Sequence, residues 1–302
     1  MTIYLSNVRQ KLLHLFLSTI FIFTIIYFIG TALARPAQDH PFFEQFSVKP
    51  LVIAHGGSAG HRPTNTLPAF EHAVELGADM LEMDIHGSLD GALVIIHDDT
   101  VDRTTNGSGF VKEMTWAELK ELDAGYHFST DGGESYPYRG QGVQLSTVEE
   151  VFEKFPTMPM TIELKQVEPS IADNLCMLIR KYDMGSLVLV ASFRKEAMDE
   201  FRIQCPEVAT SAVEEEVRRF FYLHLARLGN MYSPDTNALQ IPESAAGFEL
   251  VNDRFLRTAT KKNLQIHVWT INESDDMERL IKMGVDGLIT DYPDRALNLL
   301  GR

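Results

Sequence analysis

A (β/α)8 barrel is the fold class that this 302-residue sequence predicts, and three observations predict it. Short apolar runs alternate with stretches of helical periodicity from residue 51 to the end of the chain. Apart from one hairpin the runs number eight, and eight strand–helix units over ~250 residues is the arithmetic of that barrel. The polar residues that break the apolar pattern stand at the ends of the runs, where barrels place their sites. A doubly wound open sheet is the competing architecture, but the sequence lacks the Gly-rich G-x-G-x-x-G turn that would favour it.

Residues 1–34 hold two charges, Arg9 and Lys11, and none follows from Leu12 to Ala34. That apolar span suits the ~20 residues needed to cross a bilayer. A signal peptide has a shorter apolar core, ~7–15 residues, and Ala32-Leu33-Ala34 would serve as its small-residue cleavage site. An uncleaved signal anchor uses the same positive flank to keep the N-terminus cytoplasmic. The length favours an anchor with the barrel on the non-cytoplasmic side. The alternative is a secreted or periplasmic product cleaved near Ala34. Residues 35–50, with Pro36, Pro41 and Pro50 and no periodicity, read as a linker to a barrel spanning 51–302.

Residues 51–54 are the first strand. A helix follows at 66–76, with Pro68 in its first turn and Gly77 as its stop. Residues 80–85 are the second strand. Ser88-Leu89-Asp90-Gly91 then turns at once into residues 92–96, and a parallel crossover needs a dozen or more residues, so this pair is an antiparallel hairpin. It opens an insertion of about residues 86–145 whose Gly- and Tyr-rich loops hold one helix, 115–122, with Thr115 and Glu118 as a capping box. Strands at 160–164, 187–191, 208–211, 238–241, 265–269 and 287–290 then alternate with helices at 169–182, 195–204, 214–228, 252–262, 274–283 and 294–300.

The composition is globular, with 45% hydrophobic residues. The net charge of −15 becomes −17 once Arg9 and Lys11 are set aside, which argues against a nucleic-acid-binding surface built from clustered Lys and Arg. Cys176 and Cys205 allow at most one bridge, and no C-x-x-C marks a metal or redox site.

Period-two spacing puts Glu82 and Asp84 on one strand face, and does the same for Glu163 and Lys165. Barrel interiors are normally apolar, so inward carboxylates are costly unless something offsets them. Three carboxylates at one mouth suit an oxygen-liganded Mg²⁺ or Ca²⁺ better than zinc. His55 and His97 bring groups whose protons move near neutral pH. A glycosidase also uses two carboxylates, but it would leave both histidines and Lys165 without a role.

Several motifs in this order are highly specific together: Ala54-His55, Pro63 with Asn65-Thr66, Glu82-Met83-Asp84, His97-Asp98-Asp99-Thr100 with Arg103-Thr104-Thr105-Asn106-Gly107, Ile162-Glu163-Leu164-Lys165, His267-Val268-Trp269-Thr270-Ile271-Asn272, and Gly287 with Thr290-Asp291. By them the sequence resembles the glycerophosphodiester phosphodiesterase family over about residues 50–300. The resemblance implies a (β/α)8 barrel with a segment inserted after the second strand. It also implies metal-dependent hydrolysis of a glycerophosphodiester to an alcohol and glycerol 3-phosphate. Carried over, Glu82, Asp84 and Glu163 hold the metal, His55 and His97 form the acid–base pair, and Lys165 faces the phosphate. Trp269 becomes an apolar wall for the glycerol or lipid moiety.

Two positions depart from the family pattern. Gly56 stands where Arg usually follows the first histidine, and Thr64 where Glu usually follows the proline. The first change removes a bidentate phosphate donor, and Arg62 is the candidate to supply that contact. Two further readings stand beside glycerophosphodiester hydrolysis, the first keeping the chemistry and motivated by the anchor, the second suggested by Gly56 and Thr64. One is lysophospholipase D action on membrane lysolipids, and the other is a catalytically impaired barrel that binds headgroups.

Overall fold

The computed structural model describes residues 2–245 and 247–302, with side chains described from Gln10 onward. The chain opens with helix α1 (Thr2–Leu33). Within it, Gln10–Leu33 is 24 residues long with a mean hydropathy of 2.3, long and apolar enough to cross a membrane. Its last turns touch the remainder of the chain. Asn230 Nδ2 lies 3.4 Å from Tyr27 Oη, and Gly30 sits so close to Met231 that a Cβ would collide with it.

Residues 35–50 are not the featureless linker that their lack of periodicity suggests. Ala37 N–H donates to the Lys262 carbonyl at 2.8 Å, and Pro41–Glu44 forms a short helix, α2. Phe42 is fully buried in one cluster with Leu51, Met80, Leu189, Ala209 and Ala238. Those residues stand at or near the starts of strands, so Phe42 closes the floor of the barrel. A single aromatic plug leaves no periodic signature, which is why the pattern misses it.

The strands are β1 (Leu51–Ala54), β2 (Met80–Gly87), β3 (Leu93–Ile95), β4 (Met160–Leu164), β5 (Val188–Ala191), β6 (Ala209–Thr210) and β7 (Ala238–Pro242). They continue with β8 (Ser244–Ala245), β9 (Phe248–Glu249), β10 (Gln265–Trp269) and β11 (Gly287–Thr290). Eight of them run parallel in the order β6-β5-β4-β2-β1-β11-β10-β7. The two ends meet at a parallel bridge, Ser211 to Ala238, where Ala212 N–H donates to the Ala238 carbonyl at 2.8 Å. That join closes the predicted barrel. β3 pairs antiparallel with β2, Ile85 opposite Ile95, as the short Asp-Gly turn requires. β8 and β9 form a two-stranded hairpin beyond β7 that sequence patterning does not predict.

The outer ring holds α3 (Leu67–Leu76) and, after α4 (Trp116–Lys120) of the insertion, α5 (Val148–Lys154), α6 (Ala172–Lys181) and α7 (Lys195–Gln204). It is completed by α8 (Glu214–Leu225), α9 (Asp253–Lys261), α10 (Ser274–Met283) and α11 (Pro293–Leu299). Gly77 ends α3 at φ +94°, a left-handed position that glycine takes without strain. α5 is absent from the predicted elements, although Thr147 and Glu150 cap it reciprocally. The insertion carries its own small core, including Val94, Val101, Val111, Leu119 and Leu145. Cys176 in α6 and Cys205 at the end of α7 form a disulfide, an outcome the sequence alone leaves open.

Deleting the Phe42 ring leaves a void that the strand starts cannot collapse to fill. Phe42→Ala should therefore cost about 3–5 kcal/mol in chemical denaturation. A loss under about 1 kcal/mol would show that the floor stands without the plug.

Candidate active site

The parallel register of β2 and β4 sets Asp84 directly opposite Glu163, and period-two alternation puts Glu82 on the same face. Oxygens of Glu82, Asp84 and Glu163 lie within 4.8 Å of one another. Glu82 and Asp84 are buried. Each carboxylate is oriented by a neighbour. Gly56 N–H donates to Glu82 Oε2 at 2.8 Å, and Asn65 Nδ2 donates to Asp84 Oδ2 at 2.9 Å. Lys165 Nζ reaches Asp84 Oδ1 at 3.0 Å and Glu163 Oε2 at 2.8 Å.

One ammonium thus pairs with two of the three carboxylates, and the imbalance shows in the proton affinities of Glu82 and Glu163. Burial, then the Asp84 charge, pushes the Glu82 carboxyl up to about 8. Burial also raises Glu163, against the opposing pull of Lys165. For Lys165 burial acts against the charge, yet Asp84 and Glu163 outweigh it and hold the ammonium above its usual range. Three converging oxygen donors with excess negative charge fit a divalent cation.

Each predicted histidine is gripped at Nδ1 by a carboxylate. At the end of β1, His55 Nδ1 is 2.6 Å from Asp291 Oδ1. Asn272 fixes that carboxylate in turn, its Nδ2 donating to Asp291 Oδ2 at 2.6 Å while its Oδ1 accepts from Asp291 N–H at 2.9 Å. Burial opposes protonation of His55, but Glu82, Asp291 and Asp84 overcome it and raise the ring to about 9. In the insertion, His97 Nδ1 is 2.7 Å from Asp98 Oδ1. Arg103 clamps Asp98, with Nε at 2.5 Å and Nη2 at 3.0 Å, and its hydrogen bonds pull the Asp98 carboxyl down to about 2. With Nδ1 occupied, Nε2 is the nitrogen left for proton transfer on both rings. Sequence reading assigns no role to these orienting partners, although Asp98 adjoins His97 and Arg103 follows five residues later.

All six of these charged and titrating residues, His55, Glu82, Asp84, His97, Glu163 and Lys165, line one cavity of about 460 Å³. Its other walls are largely apolar and include Val217, Ile241, Leu250 and Trp269, with Phe193 packed edge-on against Trp269 at 5.7 Å. Arg62 does not line it. The loop after β1 turns back on itself, with Arg62 N–H on the Ser58 carbonyl, and its guanidinium lies over the Tyr138 ring at 5.8 Å. The expected substitute for the missing arginine is therefore not supplied by Arg62. Gly56 adopts φ +52°, and a Cβ there would collide with Thr64 Oγ1, so the two departures from the family pattern are spatial neighbours.

The raised proton affinities set a pH dependence. Glu82 keeps a proton in the folded state between its ordinary 4.5 and about 8, and His55 does so between 6.5 and about 9. The unfolded chain has released those protons, so stability without a divalent cation should fall as pH rises from 6.5 to 9. Below that window the buried His267, pushed down to about 4, acts in the opposite direction. Melting curves in EDTA across pH 6.5–9 should show the fall, and saturating Mg²⁺ or Ca²⁺ should flatten it. A slope that neither ion alters counts against a cation on these carboxylates.

Comparison with known proteins places the chain. The sequence profile of the glycerophosphoryl diester phosphodiesterase family matches residues 55–295. A glycerophosphodiester phosphodiesterase of Caldanaerobacter subterraneus subsp. tengcongensis is 36% identical over 84% of this chain and 98% of its own length. The human lysophospholipase D GDPD1 is 24% identical, over 82% of this chain and 85% of that protein. An Oleispira antarctica phosphodiesterase, solved with its product sn-glycerol-3-phosphate, superposes with a TM-score of 0.66 at 26% identity, covering 84% of this chain and 97% of that one. The chain belongs to the glycerophosphoryl diester phosphodiesterase family, the phosphoric diester hydrolases that act on glycerophosphodiesters.

Proposed function

We propose that this chain is a divalent-metal-dependent phosphodiesterase that cleaves water-soluble glycerophosphodiesters to an alcohol and glycerol 3-phosphate by two-histidine acid–base catalysis. The observation that carries this reading is the pair of carboxylate-held histidines lining one cavity with three converging carboxylates. Glu82, Asp84 and Glu163 would hold Mg²⁺ or Ca²⁺, which when bound offsets the negative charge of the diester and of its transition state. Lys165 adds a second positive charge beside it. One histidine takes a proton from the attacking group at Nε2 while the other gives one to the departing alkoxide, which leaves poorly as an anion. Asp291 and Asp98 hold the rings in the orientation this requires. Trp269 walls the side that receives the glycerol. Both histidine dyads and the Gly56 contact to Glu82 are in place, which favours catalysis over a headgroup-binding barrel that has lost activity.

α1 acts in this reading as a retained anchor, with the barrel on the non-cytoplasmic side. Packing of Tyr27 and Gly30 against residues 230 and 231 supports retention over cleavage near Ala34. The Cys176–Cys205 disulfide suits an oxidising compartment. Glu214, at the start of α8, lines the cavity, whereas Gly229–Met231 lies beyond the other end of that helix and before β7 begins. The anchor therefore joins the barrel at the end opposite its mouth, which favours soluble diesters over lipids of the same membrane. Lysophospholipase D action is the second reading, favoured by the apolar cavity wall, which has the chemistry to hold an acyl chain.

The purified chain in detergent, supplied with Mg²⁺ or Ca²⁺, should release glycerol phosphate from glycerophosphocholine or glycerophosphoethanolamine and lose this activity in EDTA. His97→Ala should lower kcat by about 10²–10⁴-fold. No release with either ion defeats the proposal. Faster turnover of a lysolipid than of its deacylated counterpart selects the second reading.

A further inference from the structure

The barrel meets α1 at a definite height along that helix. At the ~1.5 Å rise of an α-helix, Gly30 lies ~13 Å past the middle of the 24-residue apolar span, inside the ~15 Å half-thickness of a bilayer's hydrocarbon core. Met231, packed against Gly30, then reaches the hydrocarbon edge, and the turn that carries it follows α8 directly. With α1 in a membrane, this side of the barrel does not stand clear of the bilayer.

The outward face of α8 changes character in the order that a bilayer surface does. Phe220, Phe221 and His224 are buried against the barrel. Arg218, Tyr222 and Leu225 follow one another at helical spacing on the opposite side, with Arg219 beside the first. Tyr222 is 61% exposed and Leu225 48%, and the exposed pair Ala226-Arg227 leads on towards Met231. A single exposed leucine is ordinary on a protein surface. The order of types is what carries weight: leucine next to the anchor, then tyrosine, then two arginines, with Glu214 and Glu215 farthest away. Apolar side chains favour the acyl boundary, tyrosine the membrane–water interface, and arginine the anionic headgroups. From Leu225 back to Arg218 the helix covers ~10 Å, enough to cross a headgroup layer of ~5–8 Å.

The charge agrees. The chain carries a net −15, yet residues 217–234 hold Arg218, Arg219 and Arg227 and no Asp or Glu. Arg35, just past α1, stands on the same side, its N–H donating to Ser233 Oγ at 3.1 Å.

We infer that the C-terminal half of α8 and the turn after it form a seat on the bilayer that α1 spans, with Leu225 and Met231 at the acyl boundary, Tyr222 at the interface, and Arg218, Arg219 and Arg227 facing lipid phosphates. The inference rests on the retained-anchor reading above. Such a seat holds the floor end of the barrel against the membrane and keeps the mouth turned away from it.

The test places the full chain in vesicles whose acyl chains carry bromine and reads tryptophan fluorescence over the wild-type signal of Trp116 and Trp269. Leu225→Trp is compared with Val74→Trp, an exposed position of α3 on the far side of the barrel. Quenching at 225 should exceed that at 74 by about threefold or more. Tyr222→Trp, a shallower probe on the same face, should give an intermediate value. Adding ~30% phosphatidylglycerol should deepen the quenching at 225, and Arg219→Gln/Arg227→Gln should remove that increase. Equal quenching at all three positions, in protein that resists alkaline carbonate extraction, overturns the seat and leaves the anchor standing. Protein that carbonate releases overturns the anchor and the seat with it. No increase with the anionic lipid, or one that persists in the arginine variant, overturns the phosphate contacts.

Discussion

One electrostatic imbalance governs the mouth of this barrel: three converging carboxylates, two of them buried, face a single ammonium. It arises from strand register, since the insertion separates β2 and β4 in sequence while the sheet makes them neighbours, with Asp84 opposite Glu163. Like charges at this spacing repel strongly in a medium of low dielectric, and Lys165 offsets only part of that repulsion. The remaining charge raises the proton affinity of Glu82 and, through it, of His55. A cation on the carboxylates would compete with those protons, so cation binding and histidine protonation are linked. The protonation of His55 would thus depend on the occupancy of the acidic cluster.

The two histidines arrive on different kinds of support. His55 ends a barrel strand, and Asp291 at the end of the adjoining β11 holds it, so barrel closure itself fixes the dyad. His97 belongs to the insertion, which has its own core and joins the barrel through the antiparallel pairing of β3 with β2. Its dyad is local, built from Asp98 and Arg103. A substrate between the two rings would therefore touch both modules.

Much of this was legible from residue spacing. Period-two alternation placed Glu82, Asp84, Glu163 and Lys165, and the short Asp-Gly turn identified the hairpin that carries His97 away from the parallel sheet. What stayed hidden involves single contacts without a period. Phe42 seals the floor as one aromatic among prolines, and α5 is a two-turn helix announced only by Thr147 and Glu150. The direction of Arg62 depends on how the loop after β1 folds back onto Ser58, and spacing along a loop does not encode direction. The Cys176–Cys205 bridge needed the packing of α6 against α7, which two cysteines in a sequence do not specify.

Gly56 and Thr64 take on a different meaning once their positions are known. At φ +52° a residue with a Cβ pays a conformational cost of about 1–2 kcal/mol, and here that Cβ would also strike Thr64 Oγ1. An arginine at 56 would need both residues to rearrange, so the two departures constitute one local change. The backbone keeps what the acidic cluster needs, because the Gly56 N–H still orients Glu82. What is lost is a guanidinium, and Lys165 is left as the one Lys or Arg lining the cavity of the acidic cluster among the described residues. A lone ammonium holds a phosphate with less directional control than a bidentate fork. In the proposed reaction, the largely apolar walls of the cavity would then contribute to holding the diester.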